Sequence, residues 1–305
     1  MAETRVNGVR LAYQQLGHGP DLVLVHGLAA SRAFWFGAYA LPLARHFRVT
    51  LYDLRGHGYS ERPPHGYDAV TQAQDLAALL DHLRIERCAL AGHSYGGAIA
   101  LEYAARAPQN VERLALLDSK INALQPYQRL SDSPHLTPFE KEIAQQAARD
   151  WAIDWDREPQ LGLRFLEVMA RWRLGNGSAQ TRDVYTPFGE GRGALRGARQ
   201  WLDLLEQTAA PEEFVQPGAP AERLAGLKMP LLLIYGERSR CLPSCRALQQ
   251  LLPQARVEIV PGSGHFFPAT HARETLGWLA GFLGVTDLTP DQDAADPAAI
   301  GARQA

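Results

Sequence analysis

The chain carries only three cysteines, Cys88, Cys241 and Cys245, in 305 residues. That number makes no even-numbered disulfide framework and is too small for a zinc site of ordinary ligand count, so all three read as reduced, buried thiols and no metal is expected. Cys241 and Cys245 stand four apart, on one face of a helix if one forms there, where a disulfide is geometrically poor. Long apolar runs are also missing: none approaches the roughly 18–20 residues that a membrane helix requires. The opening segment Met1-Ala2-Glu3-Thr4-Arg5-Val6 has no hydrophobic signal region. A cytoplasmic protein without a membrane partner is the expectation. Nor is there an excess of charge of either sign. Thirty-one basic residues against thirty-three acidic ones leave a formal charge of −2, which offers nucleic acid no electrostatic footprint. Lysine is scarce, with Lys120, Lys141 and Lys228 the only three. This arginine bias reads as a matter of genome composition, and no functional conclusion follows from it. No internal repeat is evident.

What the chain does have is a globular composition, 46% apolar and 21% charged, sufficient for a sizeable core. Short leucine-rich and β-branched runs at residues 22–25, 49–52, 88–91, 114–117, 231–235 and 257–260 alternate with helical patterns, the signal for crossover units in a mostly parallel, doubly wound α/β sheet. Leu76, Leu79, Leu80 and Leu83 form one apolar stripe on a helix over residues 71–83. Further helices are expected from Tyr95 to a stop before Pro108, and over residues 271–282.

The alternation breaks between residues 119 and 226, where the pattern is helical and interrupted by prolines. About a hundred residues is too long for an ordinary loop, so the segment reads as a helical cap inserted into the sheet domain. The expected division is a core of residues 1–119 and 227–284, a cap of residues 120–226 and a disordered tail of residues 285–305. Trp151, Trp155, Phe165, Met169 and Trp172 have helical spacing and read as packing between cap helices, with lining of a substrate cavity as the alternative. The cap arginines, Arg164, Arg171, Arg173, Arg182, Arg192, Arg196 and Arg199, read as solvated.

The sharpest local feature is Gly92-His93-Ser94-Tyr95-Gly96, directly after a strand and directly before a helix. A serine on such a sharp turn needs glycine two residues before and after it, because side chains there would collide with the crossing elements. The turn also sets Ser94 at a helix N-terminus, where the Tyr95 amide can face a developing oxyanion.

With this motif in its strand–turn–helix context, the chain resembles the α/β-hydrolase family over nearly all of its length outside the cap and tail. His26-Gly27-Leu28 matches the turn that in similar proteins supplies a second oxyanion donor, here the Leu28 amide; His26 itself reads as a packing residue. Residues 53–60 match a loop that shapes the sheet edge, and no chemistry is assigned to them. Gly262-Ser263-Gly264-His265-Phe266 is similar to the family's catalytic-histidine loop, which implies that His265 is the general base. His57, His65 and His271 lack such a context. The acid departs from the usual pattern, since Ser239 stands where most similar hydrolases carry an Asp. Asp118, at the end of the strand after the nucleophile helix, is the best replacement; Glu237 and a Ser–His dyad without a third member stay open.

The resemblance implies a serine hydrolase that cleaves an ester or thioester through an acyl-enzyme, with Ser94 as nucleophile, His265 as base and Asp118 as acid, and no cofactor. The implied partner is a small-molecule or acyl-carrier-bound acyl substrate. Acyl transfer or cyclisation, carbon–carbon bond hydrolysis or a lyase reaction, and a non-catalytic ligand-binding module of the same fold are the alternatives. Oligomeric state is not legible.

Overall fold

The computed structural model describes residues 1–133, 135–176, 188 and 191–287. The strands are β1 (Ala2–Val6), β2 (Val9–Leu16), β3 (Asp21–Val25), β4 (Arg48–Tyr52), β5 (Cys88–His93), β6 (Val111–Leu117), β7 (Leu231–Gly236) and β8 (Arg256–Val260). They form one sheet in the order β1-β2-β4-β3-β5-β6-β7-β8, antiparallel at its β1–β2 and β2–β4 pairings and parallel from β4 onward. The six parallel strands correspond to the six apolar runs of the sequence. β1 and β2 went unanticipated: β1 is polar at its centre and mostly exposed, and the apolar alternation of β2 at Val9, Leu11 and Tyr13 stops at Gln14-Gln15. Their turn, Asn7-Gly8, takes φ values of 47° and 76°, which is the reason Asn-Gly favours a two-residue hairpin.

Strand periodicity divides the core between the sheet faces. On β3, Val23 and Val25 turn to one side and Leu22 and Leu24 to the other. The first side is covered by α1 (Ala69–His82) and α2 (Tyr95–Arg106), through Leu76, Leu79 and Leu80 of α1 and Ile99 and Tyr103 of α2. Trp35, Tyr39 and the last helix, Ala272–Leu283, cover the second side. Helices on both faces make the sheet doubly wound. Asp68 caps α1, accepting the Thr71 N–H at 2.9 Å. α2 ends at Arg106, two residues before Pro108.

Between β6 and β7 the chain builds α3 (Pro138–Asp150), α4 (Leu161–Asn176) and α5 (Gly191–Gln207), with α4 packed against both neighbours. Thr137 and Glu140 close a capping box at the start of α3, an arrangement in which each side chain meets the other's backbone N–H. Glu140 also pairs with Arg240 in the segment after β7, at 2.9 Å, and so fastens α3 to the sheet edge. α6 (Leu242–Leu251) and α7, the Ala272–Leu283 helix, complete the long elements. The expected tail falls outside the described residues from 288 onward, as do Arg182 and the side chain of Arg192. No helix among the described residues is long and apolar enough to cross a membrane.

Leu114 on β6 is fully buried. Leu114→Ala is expected to cost about 2–5 kcal/mol by lost burial and residual cavity. Urea unfolding should show a lower midpoint with the slope unchanged, since the exposed surface on unfolding is nearly the same.

Candidate active site

β5 and β6 are parallel neighbours with His93 opposite Leu117, so the residues that follow them, Ser94 and Asp118, leave the sheet side by side. The Ser94 N–H donates to the Leu117 carbonyl at 2.9 Å. Ser94 has φ 55° and ψ −124°, an unfavourable conformation for a residue with a side chain, and it lifts Oγ clear of the sheet edge. Close backbone packing holds it there. A Cβ on Gly92 would lie 2.4 Å from the Gly96 carbonyl oxygen, and one on Gly96 would lie 2.3 Å from that of Val25. Both glycines that flank the serine by two residues are therefore obligatory, as the motif requires.

Asp118 also has positive φ, 50°, a conformation that Asp tolerates better than most residues. Its carboxylate is fully buried and receives three donors. Oδ1 accepts the Gly236 N–H at 3.0 Å; Oδ2 accepts the Ser239 hydroxyl and, at 2.6 Å, the His265 Nδ1–H. Ser239, at the position usual for the acid, thus serves the carboxylate that stands in for it, and its Oγ also accepts the Cys241 N–H at 3.0 Å. Glu237 points elsewhere: it is exposed and accepts the Gly262 N–H at 2.7 Å.

His265 lies on the loop after β8. Gly236 permits that loop's approach, since a Cβ there would meet the Ser263 and Gly264 carbonyl oxygens at 2.6 and 2.7 Å. His93 Nε2–H donates to the His265 carbonyl at 3.1 Å, and the His93 ring stacks on Phe34. With Nδ1–H directed at Asp118, Nε2 is left as an acceptor, and it lies 3.0 Å from Ser94 Oγ. The structure therefore brings Ser94, His265 and Asp118 into one hydrogen-bonded chain.

Burial of the His265 ring opposes its protonation, while the Cys241 sulfur 3.7 Å from Nδ1 and the Asp118 carboxylate favour it and hold the pKa above the ordinary histidine value; the neutral ring is the form whose Nε2 accepts from Ser94 Oγ. Three other histidines behave oppositely. Burial lowers His26 to about 4, His57 to about 3 and His93 well below its ordinary value, so these rings stay neutral. His26 is a structural bridge, with Nδ1 donating to the Gly27 carbonyl at 2.8 Å and Nε2 accepting the Leu54 N–H at 3.0 Å. His57 packs edge-on against it.

Above Ser94 lies a cavity of about 120 Å³. Its floor includes Leu28, Tyr95 and His265, and its apolar wall is formed by Leu163, Phe165, Leu166 and Met169 of α4 together with Phe214. Neither the Leu28 nor the Tyr95 N–H has a backbone partner among the described residues. Phe165 and Met169 do both things considered for them: they pack in the core and line the cavity. Trp155 stacks on Phe165, Trp172 meets Phe139 edge-on, and Trp151 is exposed. One arginine reading needs correction. Arg173 is not solvated; it is buried, with its guanidinium over the Trp172 ring. Arg164 and Arg171 are tied to glutamates.

Lys120, Arg240 and Cys241 line the cavity without having been anticipated. The only sequence signal for Lys120 was its rarity and its place two residues after Asp118. Cys241 offers a third donor atom beside Asp118 and His265, all within 4.8 Å of one another. A metal there would have to break the His265–Asp118 hydrogen bond. All three cysteines are buried and free.

The family model for the alpha/beta hydrolase fold matches residues 20–272. The chain belongs to the α/β-hydrolase family. Uncharacterized proteins of Mycobacterium bovis and Mycobacterium tuberculosis are 40% identical over 114 residues, which is 37% of this chain and 33% of theirs. The chain thus spans only about a third of the length of these relatives in the match. Similar stretches match a soluble epoxide hydrolase of Corynebacterium, 39% identical over 38% of this chain and 40% of that protein, and a pimeloyl-[acyl-carrier protein] methyl ester esterase of Nitrosospira multiformis, 38% identical over 35% and 41%. Among solved structures, a putative aryl esterase from Burkholderia cenocepacia superposes with a TM-score of 0.67 at 25% identity, covering 93% of this chain and 98% of that one.

Because the carboxylate favours the imidazolium, Asp118→Asn should move the His265 titration to lower pH. Nitrogen-15 NMR of the ring reads this directly, and an unmoved titration would show that Asp118 is not what holds the proton.

Proposed function

We propose that this α/β-hydrolase is a serine hydrolase that cleaves an ester or thioester through an acyl-enzyme. The observation that carries the reading is the unbroken hydrogen-bond path from Ser94 Oγ through the His265 ring to the buried Asp118 carboxylate. Ser94 Oγ attacks the substrate carbonyl while His265 Nε2 takes its proton. Asp118 fixes the ring with Nε2 facing the serine and stabilises the imidazolium that forms. The Leu28 and Tyr95 amides receive the oxyanion of the tetrahedral intermediate. His265 then protonates the leaving group, and in the second half of the cycle it takes a proton from water as that water attacks the acyl-enzyme.

Ser94 also favours one of the relatives' activities over another. Opening an epoxide through an alkyl-enzyme ester needs a carboxylate nucleophile, and position 94 holds a hydroxyl; the likeness to the esterase is the one that fits. The helices between β6 and β7 act as a cap, since α4 closes the cavity over Ser94 and shields the reaction from bulk water.

A fluorophosphonate should label Ser94 covalently, and Ser94→Ala should lose both labelling and turnover while keeping the fold, as read by mass spectrometry, ester assay and circular dichroism. Hydrolysis undiminished in that variant would remove the acyl-enzyme mechanism.

Asp118→Asn should lower kcat by orders of magnitude, about 10⁴-fold in the serine-protease template. Adding Ser239→Asp should recover part of that rate, because Ser239 already reaches the same carboxylate and a carboxyl group from its position approaches the same Nδ1–H. Ser239→Asp alone should bring no gain, since two carboxylates facing one N–H repel each other. Full activity in Asp118→Asn would leave a Ser–His dyad as the working unit.

A further inference from the structure

The cavity over Ser94 is apolar on most of its surface, yet Lys120 and Arg240 line it and, among the described residues, neither Asp nor Glu does. The charges of the two cations are handled differently. Arg240 is paired through Nη2 with Glu140 and lies over the Phe165 ring, while its Nη1 is buried with no hydrogen-bond partner. Lys120 Nζ donates to Asn122 Oδ1 at 2.6 Å and Gln160 Oε1 at 3.3 Å. Both acceptors are neutral amide oxygens, and among the described residues the ammonium forms no ion pair. An ammonium has three N–H donors, so one is left over.

Lys120 is partly buried, and a cation drawn out of water without a counter-charge carries a cost that an anion entering the cavity relieves. Burial draws the Lys120 pKa down to about 8, with the Cys241 sulfur opposing the fall, which is the behaviour of an ammonium lacking a carboxylate partner. A neutral acceptor would fill the spare N–H but leave the charge. One uncompensated ammonium matches a monoanion; a phosphate dianion would exchange an excess positive charge for an excess negative one in the same apolar space.

We propose that Lys120, with Arg240 in the same cavity, receives a carboxylate at the non-reacting end of the substrate, so that the preferred esters carry a free carboxylate in addition to the scissile carbonyl. This deepens the serine-hydrolase reading and rests on it. Lys120 is a specificity-determining residue here: it touches the substrate away from the reacting atoms and leaves the Ser94–His265–Asp118 path intact.

The test compares kcat/KM for two matched pairs, 4-nitrophenyl hemiglutarate against 4-nitrophenyl valerate for an anion on the acyl side, and 4-acetoxybenzoate against phenyl acetate for one on the leaving-group side. In at least one pair the charged ester should be favoured, and Lys120→Gln should cut that charged-to-neutral ratio about 10- to 100-fold, the range for one hydrogen bond between charged groups. The loss should fall mainly on KM, and Lys120→Arg should retain most of the preference. Lys120→Met reads the same loss if Lys120→Gln does not fold. A ratio unaltered by loss of the lysine charge, or disfavour for both charged esters, overturns the proposal. A second arm separates the two readings: calorimetry with the monoanion monomethyl glutarate on the Ser94→Ala protein should show binding that adding Lys120→Gln removes. Binding of that kind without turnover of any ester by the unsubstituted enzyme would keep the anion site and defeat the acyl-enzyme mechanism; no Lys120-dependent binding would defeat the anion site.

Discussion

The hydrogen bond from His265 Nδ1 to Asp118 is the contact on which the arrangement of the site depends. It joins the end of β6 to the loop after β8 across the intervening strand β7, whose Gly236 N–H and Ser239 hydroxyl complete the carboxylate's shell. A buried carboxylate is tolerable only when its lone pairs are met, and three donors meet them here. The same contact sets the tautomer of the ring and hence the direction in which Nε2 looks. Loss of any of these partners acts on Ser94 indirectly, through the orientation of the imidazole.

Steric exclusion does for the serine what hydrogen bonding does for the histidine. Residues in unfavourable backbone regions cost on the order of 1–3 kcal/mol and persist only where the surroundings permit nothing else. Gly92 and Gly96 let β5 and α2 approach until Ser94 has no alternative, and Gly27 gives it room, since a Cβ there would stand 2.8 Å from Ser94 Cβ. The floor of the site is therefore sheet edge and glycine turn, whereas the wall over it is helical side chains that meet through apolar packing. Geometry is demanded of the first and shape of the second.

That difference explains how much was legible in the sequence. The parallel strands announce themselves because they are buried on both faces and read as continuous apolar runs. The elbow was legible because its glycines, one clearing the motif's own turn and the other the end of β3, stand at a fixed spacing from the serine within five residues of sequence. Asp118 could be nominated from its place at a strand end, but what completes its surroundings, a serine at the customary acid position turned toward it, is a contact over 121 residues of chain. The β1–β2 hairpin was missed although its Asn-Gly turn is a strong signal, because the alternation of Val9, Leu11 and Tyr13 on β2 is short and β1 carries no matching apolar run. Lys120 was set aside with the other lysines, and Arg240 drew no notice, since the burial of a charge and the identity of its partners are properties of the assembled cavity alone.

Placing the carboxylate on β6 leaves the segment after β7 with less to do. Where that segment supplies the acid, its backbone is constrained by the charge it must aim; here Ser239 only steadies a neighbour's carboxylate, and the two residues that follow, Arg240 and Cys241, face the cavity. Cys241 still touches the His265 ring, but Arg240 is bonded to Glu140 and to neither Asp118 nor His265, so a substitution at position 240 changes the charge of the binding surface while the Ser94–His265–Asp118 hydrogen bonds stay as they are. The part of the site that fixes geometry is thereby set apart from the part that fixes charge, and a change of selectivity in this chain is open at position 240 without a change on the sheet.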